Sequence, residues 1–314
     1  MKTKTIKKII TVKIEAWLDS IKDPVVQNAC KQDLIVTGGS IASMLLQQDV
    51  NDYDLYFKTK KTVQLVTEYY LKQINPNYIN RISSSEILCV TSDNIPTMEY
   101  ENAVEQSKWA HFKEGLERTD EERIKVYIPH IGYWRRSDEK ESKKTKSPKA
   151  NSFTPIYLTE NAITLSDDIQ LVIRFFGDAK KIHENYDFAH ATNYFHFENG
   201  KYRLVLRKQA LEALITRELI YIGSKYPLTS VIRTKKFLAR GFNISAGTYL
   251  KILWQVAELN LKDPITLQEQ LIGVDIAYFS ELIELLTVVE SKELTYNYVS
   301  SIIDRVFNDD SEEI

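Results

Sequence analysis

The sharpest change in hydrophobic pattern lies between Leu34 and Phe57, LIVTGGSIASMLLQQDVNDYDLYF. Leu34-Ile35-Val36 is a short apolar run, the pattern of a buried strand. Gly38-Gly39-Ser40 follows, and then apolar residues at Ile41, Met44, Leu45 and Leu46 predict about two turns of amphipathic helix. From Asn51 the chain turns into an alternating strand. Residues two apart on a strand share a face. Asp52 and Asp54 therefore project together, and Tyr53, Leu55 and Phe57 point to the core.

On either side the periodicity is mostly helical. The N-terminal stretch predicts an amphipathic helix with Ile14, Trp17, Leu18 and Ile21 on one face, rather than a signal peptide. Thr62 to Ile74 predicts a second helix, ended by Asn75-Pro76. Residues 98–118 are mixed and predict helix. Glu86 to Val90, Ile156 to Leu165, Ile169 to Phe175 and the aromatic-rich Asp187 to Phe197 predict strands, with a short helix near 178–185. From Arg207 the pattern stays helical. Ala210, Leu211, Leu214, Ile215, Leu219 and Ile220 form one stripe, and helices are expected at 249–260, 266–271, 276–289 and 295–307. The acidic end NDDSEEI is expected to fray.

Residues 135–152 break the pattern. This segment is almost wholly polar and cannot bury enough surface to offset the entropy of ordering. It reads either as a solvated mobile insertion or as a basic arm touching a nucleic-acid backbone. The expected organisation is α+β: a first domain over 1–200 with a mixed sheet and flanking helices, carrying that insertion, and an all-helical domain over 201–314.

Composition narrows the function. The 314 residues are 43% hydrophobic and 27% charged, an ordinary globular balance. With 41 Lys+Arg against 43 Asp+Glu the formal net charge is −2, so no overall basic excess announces nucleic acid. Cys30 and Cys89 make neither a zinc spacing nor a disulfide framework, and a reducing cytosol is the natural compartment. No stretch approaches the ~18 apolar residues of a membrane span, so no membrane partner is expected. The histidines at 111, 130, 183, 190 and 196 form no metal set at helical spacing. His183 and His190 lie near Asp187 in sequence, as cleft residues or as strand and surface residues.

Two neighbouring carboxylates repel, and burying them unpaired is costly. A divalent cation between Asp52 and Asp54 removes both problems; a tight turn followed by a solvated acidic strand end is the plainer reading of the same residues. Gly-Gly-Ser, eleven residues, then Asp-Tyr-Asp resembles the signature of the DNA polymerase β-like nucleotidyltransferase superfamily. The resemblance implies that Gly38, Gly39 and Ser40 hold a triphosphate and that Asp52 and Asp54 bind Mg²⁺ (or Mn²⁺). Glycines let backbone N–H groups approach phosphate, and a helix N-terminus favours the anion. It also implies a third metal-binding carboxylate on a neighbouring strand. Asp187 is the candidate, opening the predicted strand in an Asn-Tyr-Asp-Phe context that resembles the Phe-Asp-Phe segment of uncharacterised phage-type nucleotidyltransferases, and Asp168 is the alternative. The plain strand 169–175 offers only Gln170 for this purpose.

Arg233, Lys236 and Arg240 recur at spacings of three and four on one helical face, followed by Gly241-Phe242. This resembles the neck helix of CCA-adding enzymes and bacterial poly(A) polymerases, with Lys236 in place of an Arg. The likeness implies that Arg233 and Lys236 bind the nucleotide or an RNA end; a solvated basic face is the alternative. The implied activity is transfer of an NMP from an NTP to an acceptor with release of pyrophosphate, in the cytoplasm. The acceptor expected first is an RNA 3′ end. A protein side chain, as in toxin–antitoxin nucleotidyltransferases, and a catalytically inactive phage-encoded binding module are the alternatives.

Overall fold

The computed structural model describes residues 1–74, 80–81, 87–89, 124–127, 132–133, 152–159, 161–271, 295–297 and 300–301. The expected helices at 98–118 and 276–289, most of that at 295–307, the polar segment apart from Ser152, and the acidic tail lie outside the described residues.

The N-terminal amphipathic stripe forms α1, Thr3–Ser20. Its buried residues Ile6, Ile10, Ile14, Trp17 and Leu18 recur at intervals of four, four, three and one, one continuous helical face. Helix α2, Pro24–Asp33, starts where the Asp23 carboxylate accepts from the N–H groups of Val25 and Val26, with proline in the first turn. The apolar run is β1, Leu34–Thr37; the next helix is α3, Gly39–Leu46; the alternating strand is β2, Tyr53–Phe57. Helix α4, Lys60–Ile74, follows. The short strands β3, Asn80–Arg81, β4, Ile87–Cys89, and β5, Lys125–Tyr127, form a small separate sheet.

The main sheet is mixed. It adds β6, Gly132–Tyr133, β7, Pro155–Leu158, β8, Ala162–Leu165, β9, Ile169–Phe176, β10, Tyr194–Glu198, and β11, Lys201–Val205. Eight strands run in the order β11-β10-β1-β2-β9-β8-β7-β6. Among them β2 and β9 pair in parallel, and the other neighbours pair antiparallel. One face carries Leu34, Val36, Leu55, Phe57, Leu171 and Phe195, packed with the α1 stripe and with Val63, Val66 and Tyr70 of α4 into the main core. The indole N–H of Trp17 donates to the Tyr70 hydroxyl at 2.8 Å inside it.

Two expected strands differ. The run 156–165 is a hairpin, because the backbone of Thr159 and Ala162 bond (2.9 Å) and the Thr159 hydroxyl accepts from the Ala162 N–H (3.0 Å). The run 187–197 is not one strand. Helix α5, Ala179–His183, capped by Asp178, leads into a bend and a 3₁₀ turn at Ala189–Ala191, and β10 starts only at Tyr194. Here side chains take backbone bonds that a strand would need: Asp187 accepts from the Phe188 N–H, and the Thr192 hydroxyl donates to the Ala189 carbonyl.

Helix α6, Lys208–Thr216, ends earlier than the stripe suggested, because Arg217 turns left-handed at φ 56°. Ile215 is 82% exposed and does not join the stripe.

The chain divides into two compact units, Met1–Pro96 with Glu122–Thr216, and Thr97–Glu121 with Arg217–Ile314. In the second, the described residues from Arg217 include α7, Pro227–Ala239, α8, Ala246–Ala257, with Ser245 capping it, and α9, Pro264–Leu271, with a parallel bridge between Glu218 and Asn243.

Tyr70→Phe keeps the ring and leaves the buried Trp17 N–H without an acceptor. It should lower stability by about 1–3 kcal/mol, read as a fall in the urea midpoint with an unchanged slope.

Candidate functional site

Register places the site. Thr37 pairs with Asp54 across β1 and β2, Tyr194 pairs with Thr37 from β10, and Gln170 pairs with Asp54 from β9. Paired residues point to the same face. Tyr194, Thr37, Asp54 and Gln170 thus form one row across four strands, on the face opposite the main core. Ile35 and Tyr56 on that face pack with Ala179 and Ile182 of α5 and with Tyr186. Within β2, Tyr53, Leu55 and Phe57 are buried and Asp54 is half-buried on the other face, where Tyr56 is buried; Asp52, also half-buried, stands just before the strand.

Beyond Thr37 the chain turns at Gly38, with φ 97° and ψ −152°. Only glycine takes this conformation without strain. A Cβ at Gly38 would also lie 2.6 Å from Asp54 Oδ2 and 3.5 Å from the Tyr186 hydroxyl. The carboxylate therefore lies against the Gly38 Cα, at the start of α3. The Gly38 N–H donates to the Ala191 carbonyl at 3.1 Å, tying the turn to the 3₁₀ segment. A Cβ on Gly39 would meet nothing within 4 Å. Ser40 is 3% exposed, and its hydroxyl has no hydrogen-bond partner among the described residues. A buried hydroxyl in the first turn of a helix, beside N–H groups with no intrahelical acceptor, suits an anion.

Behind the turn lies a polar chain, buried at Thr37 and His183 and exposed at Arg207, that spacing in the sequence did not reveal. Arg207 Nη1 lies 3.0 Å from His183 Nδ1, and His183 Nε2 lies 2.9 Å from Thr37 Oγ1. A guanidinium only donates, so Nδ1 accepts and the imidazole proton sits on Nε2, donating to Thr37. The Thr37 hydroxyl in turn donates to the Asn193 carbonyl at 2.9 Å. Burial and the Arg207 charge pull the His183 pKa down to about 4 against the opposing pull of Asp178, so the imidazole is neutral at pH 7. The Tyr186 hydroxyl donates to that of Tyr56 at 3.3 Å. Burial, with Tyr56 and Asp54 beside it, pushes the Tyr186 phenol well above its ordinary pKa, keeping it a donor.

The candidate third carboxylates sit elsewhere than on the strand beside Asp54. Asp187 is buried in the bend before the 3₁₀ turn, where it accepts from Phe188 N–H at 2.9 Å. The neighbouring strand is β9, and its residue in register with Asp54 is Gln170, whose amide lies 3.5 Å from the Thr164 hydroxyl. Asp168 precedes that strand with a left-handed φ of 57°. Its carbonyl accepts from Tyr53 N–H at 2.8 Å, and its carboxylate turns to Lys13 at 3.6 Å. Lys13 lies over the Tyr53 ring, and Tyr53 belongs to the main core. Among the described residues no three His, Cys, Asp or Glu side chains converge as a metal site. His183 and His190 are both buried rather than on the surface. Arg233 and Lys236 stand on α7 of the second unit. No helix among the described residues is long and apolar enough to cross a membrane.

The family model described as Gabija anti-defense 2 family protein (Gad2) matches residues 8–217. No curated protein matches the sequence. One similar solved structure is the Thermotoga maritima CCA-adding enzyme complexed with tRNA, at 13% identity and TM-score 0.36, over 90% of this chain and 56% of that one. Another is a tRNA nucleotidyltransferase complexed with a primer tRNA and an incoming ATP analog, at 13% identity and TM-score 0.32, over 82% of this chain and 55% of that one. This chain thus spans little more than half the length of either.

Gly38→Ala should cost about 1–3 kcal/mol, from the strained backbone and the displaced carboxylate. In the Asp54→Ala background the cost should shrink by at least about 0.5 kcal/mol, a coupling measured by denaturation of both singles and the double. Additive effects would show that the carboxylate does not rest on this turn.

Proposed function

The chain belongs to the Gabija anti-defense 2 family, and from that premise we propose that it is a metal-dependent nucleotidyltransferase, moving an NMP from an NTP to an acceptor. The observation that carries this reading is the juxtaposition at Gly38: a carboxylate held at the start of a helix whose buried Ser40 hydroxyl lacks a partner. A carboxylate there would repel a bare phosphate and welcomes one accompanied by a divalent cation.

Each residue has a defined task in this reading. The N–H groups of the first turn of α3 and the Ser40 hydroxyl donate to the triphosphate. Asp52 and Asp54 hold Mg²⁺ or Mn²⁺, since carboxylate oxygens suit hard cations. Bound there, such an ion would lower the pKa of the attacking hydroxyl and offset the charge of the leaving pyrophosphate. Tyr186, kept protonated, holds the wall of the site beside Asp54.

The acceptor proposed first is an RNA 3′ end, drawn from the basic spacing of Arg233, Lys236 and Arg240 on α7. The family's name sets its members against a defence called Gabija, which brings in a protein side chain of that defence as an acceptor. A second reading is favoured by Gln170: the site binds nucleotide without transferring it. The amide in register with Asp54 carries no charge and ligates hard cations less well than a carboxylate.

The deciding experiment incubates the full chain with each labelled NTP and Mg²⁺ or Mn²⁺, with total RNA or with proteins of a Gabija-bearing cell. Label should enter a polymer, and Asp52→Asn with Asp54→Asn should reduce it to background. Wild type, and not the double variant, should melt higher with metal and NTP, because a ligand of the folded state stabilises it by mass action. Stabilisation without transfer would establish the binding reading. Neither effect in wild type would end both.

A further inference from the structure

Arg207 has a task that the polar chain around it does not use up. Its backbone N–H donates to Asn193 Oδ1 at 2.9 Å, and its side chain donates one N–H to His183 at 3.0 Å. Both contacts lead to the corner where the Gly38 N–H meets the Ala191 carbonyl and where Thr37 meets Asn193. The residue is therefore clamped at two points to the start of the candidate nucleotide site. Yet it is solvent-exposed, and the imidazole it touches is neutral. Among the described residues no carboxylate forms an ion pair with its guanidinium. An arginine placed only to fix His183 would need neither an open outer edge nor an uncompensated charge.

The same corner has other unused donors. Ser40 and Asn193 are buried, and the Ser40 hydroxyl and the Asn193 Nδ2 have no hydrogen-bond partner among the described residues. Thr37, to which the Arg207–His183 chain leads, is immediately followed by Gly38-Gly39-Ser40 and faces Asp54 across the strand pair. The guanidinium is linked through His183 to Thr37, at the end of the strand from which Gly38, the first turn of α3 and the Ser40 hydroxyl follow. A planar guanidinium with free N–H groups matches phosphate oxygens in geometry as well as charge.

We propose that Arg207 binds the outer phosphates of the NTP and that His183 is its positioning residue. The inference rests on the nucleotide reading above and adds to it how the site tells a triphosphate from a monophosphate. His183 fits the role because a neutral imidazole accepts from the guanidinium without cancelling its charge. An aspartate in its place would orient the arginine equally well and neutralise it.

The test is equilibrium dialysis of the full chain with Mg²⁺ and ATP, GTP, CTP or UTP, and with the matching monophosphate. Arg207→Gln should weaken triphosphate binding about 10- to 100-fold, the loss of charge-assisted hydrogen bonds. Monophosphate binding should stay unchanged, and the triphosphate affinity should become less sensitive to salt. Arg207→Lys, which keeps the charge and loses the fork, should lie between. His183→Gln should lose part of the triphosphate preference while keeping monophosphate affinity. Urea midpoints of all the variants check folding, and if Arg207→Gln does not fold, Arg207→Lys carries the comparison. Equal loss for triphosphate and monophosphate would assign Arg207 to structure alone and overturn the proposal. So would triphosphate binding unchanged in Arg207→Gln, with the nucleotide reading left standing. Wild type that binds no NTP would overturn that reading, and this one with it.

Discussion

The contact of the Asp54 carboxylate with the Cα of Gly38 is the constraint on which the site depends. It demands three things together. Strands β1 and β2 must hold the register that sets Thr37 opposite Asp54. The residue after Thr37 must lack a side chain, since a Cβ would come within 2.6 Å of the carboxylate oxygen. The backbone there must take a conformation that only glycine holds without strain. A one-residue slip between the strands would send Asp54 to the core face and Leu55 into the site. The fully buried Leu55 and Phe57 oppose that slip, since both would leave the core at once.

The two faces of the sheet divide the work. One is apolar and closes under α1 and α4, where the Trp17–Tyr70 bond satisfies two polar groups inside the core. The other carries tyrosines, histidine and threonine around a small apolar patch of Ile35, Ala179 and Ile182. Polar groups buried there are affordable only when paired. Most of them are, through the chain from Arg207 to Asn193. The Ser40 hydroxyl and the Asn193 Nδ2 stand out against that pattern, because both are buried and have no hydrogen-bond partner among the described residues.

Electrostatics on this face favour an occupied site. A half-buried carboxylate at the start of a helix gains from the local N–H dipoles, and the protonated Tyr186, which donates to Tyr56, adds no charge beside it. Arg207 adds positive charge at the same corner. The arrangement tolerates one carboxylate well. Asp168 does not add another, because its left-handed turn hands its carboxylate to Lys13.

Periodicity in the sequence was enough to determine the first strand, the Gly-Gly-Ser turn, the helix after it and the following strand with Asp54 on the face away from the main core. These are local consequences of side-chain spacing and of where glycine stands. The α1 stripe was legible for the same reason. The aromatic run at 187–197 misled, because its alternation mimics a strand while Asp187 and Thr192 take backbone bonds for themselves. Only the tertiary structure decided that Gln170 stands beside Asp54, since register between strands more than a hundred residues apart is set by packing rather than by spacing. The meeting of Thr37, His183 and Arg207 has the same origin. Each residue alone is unremarkable in sequence, and a hydrogen-bond chain exists only once the sheet and α5 have brought its members within 3 Å of one another.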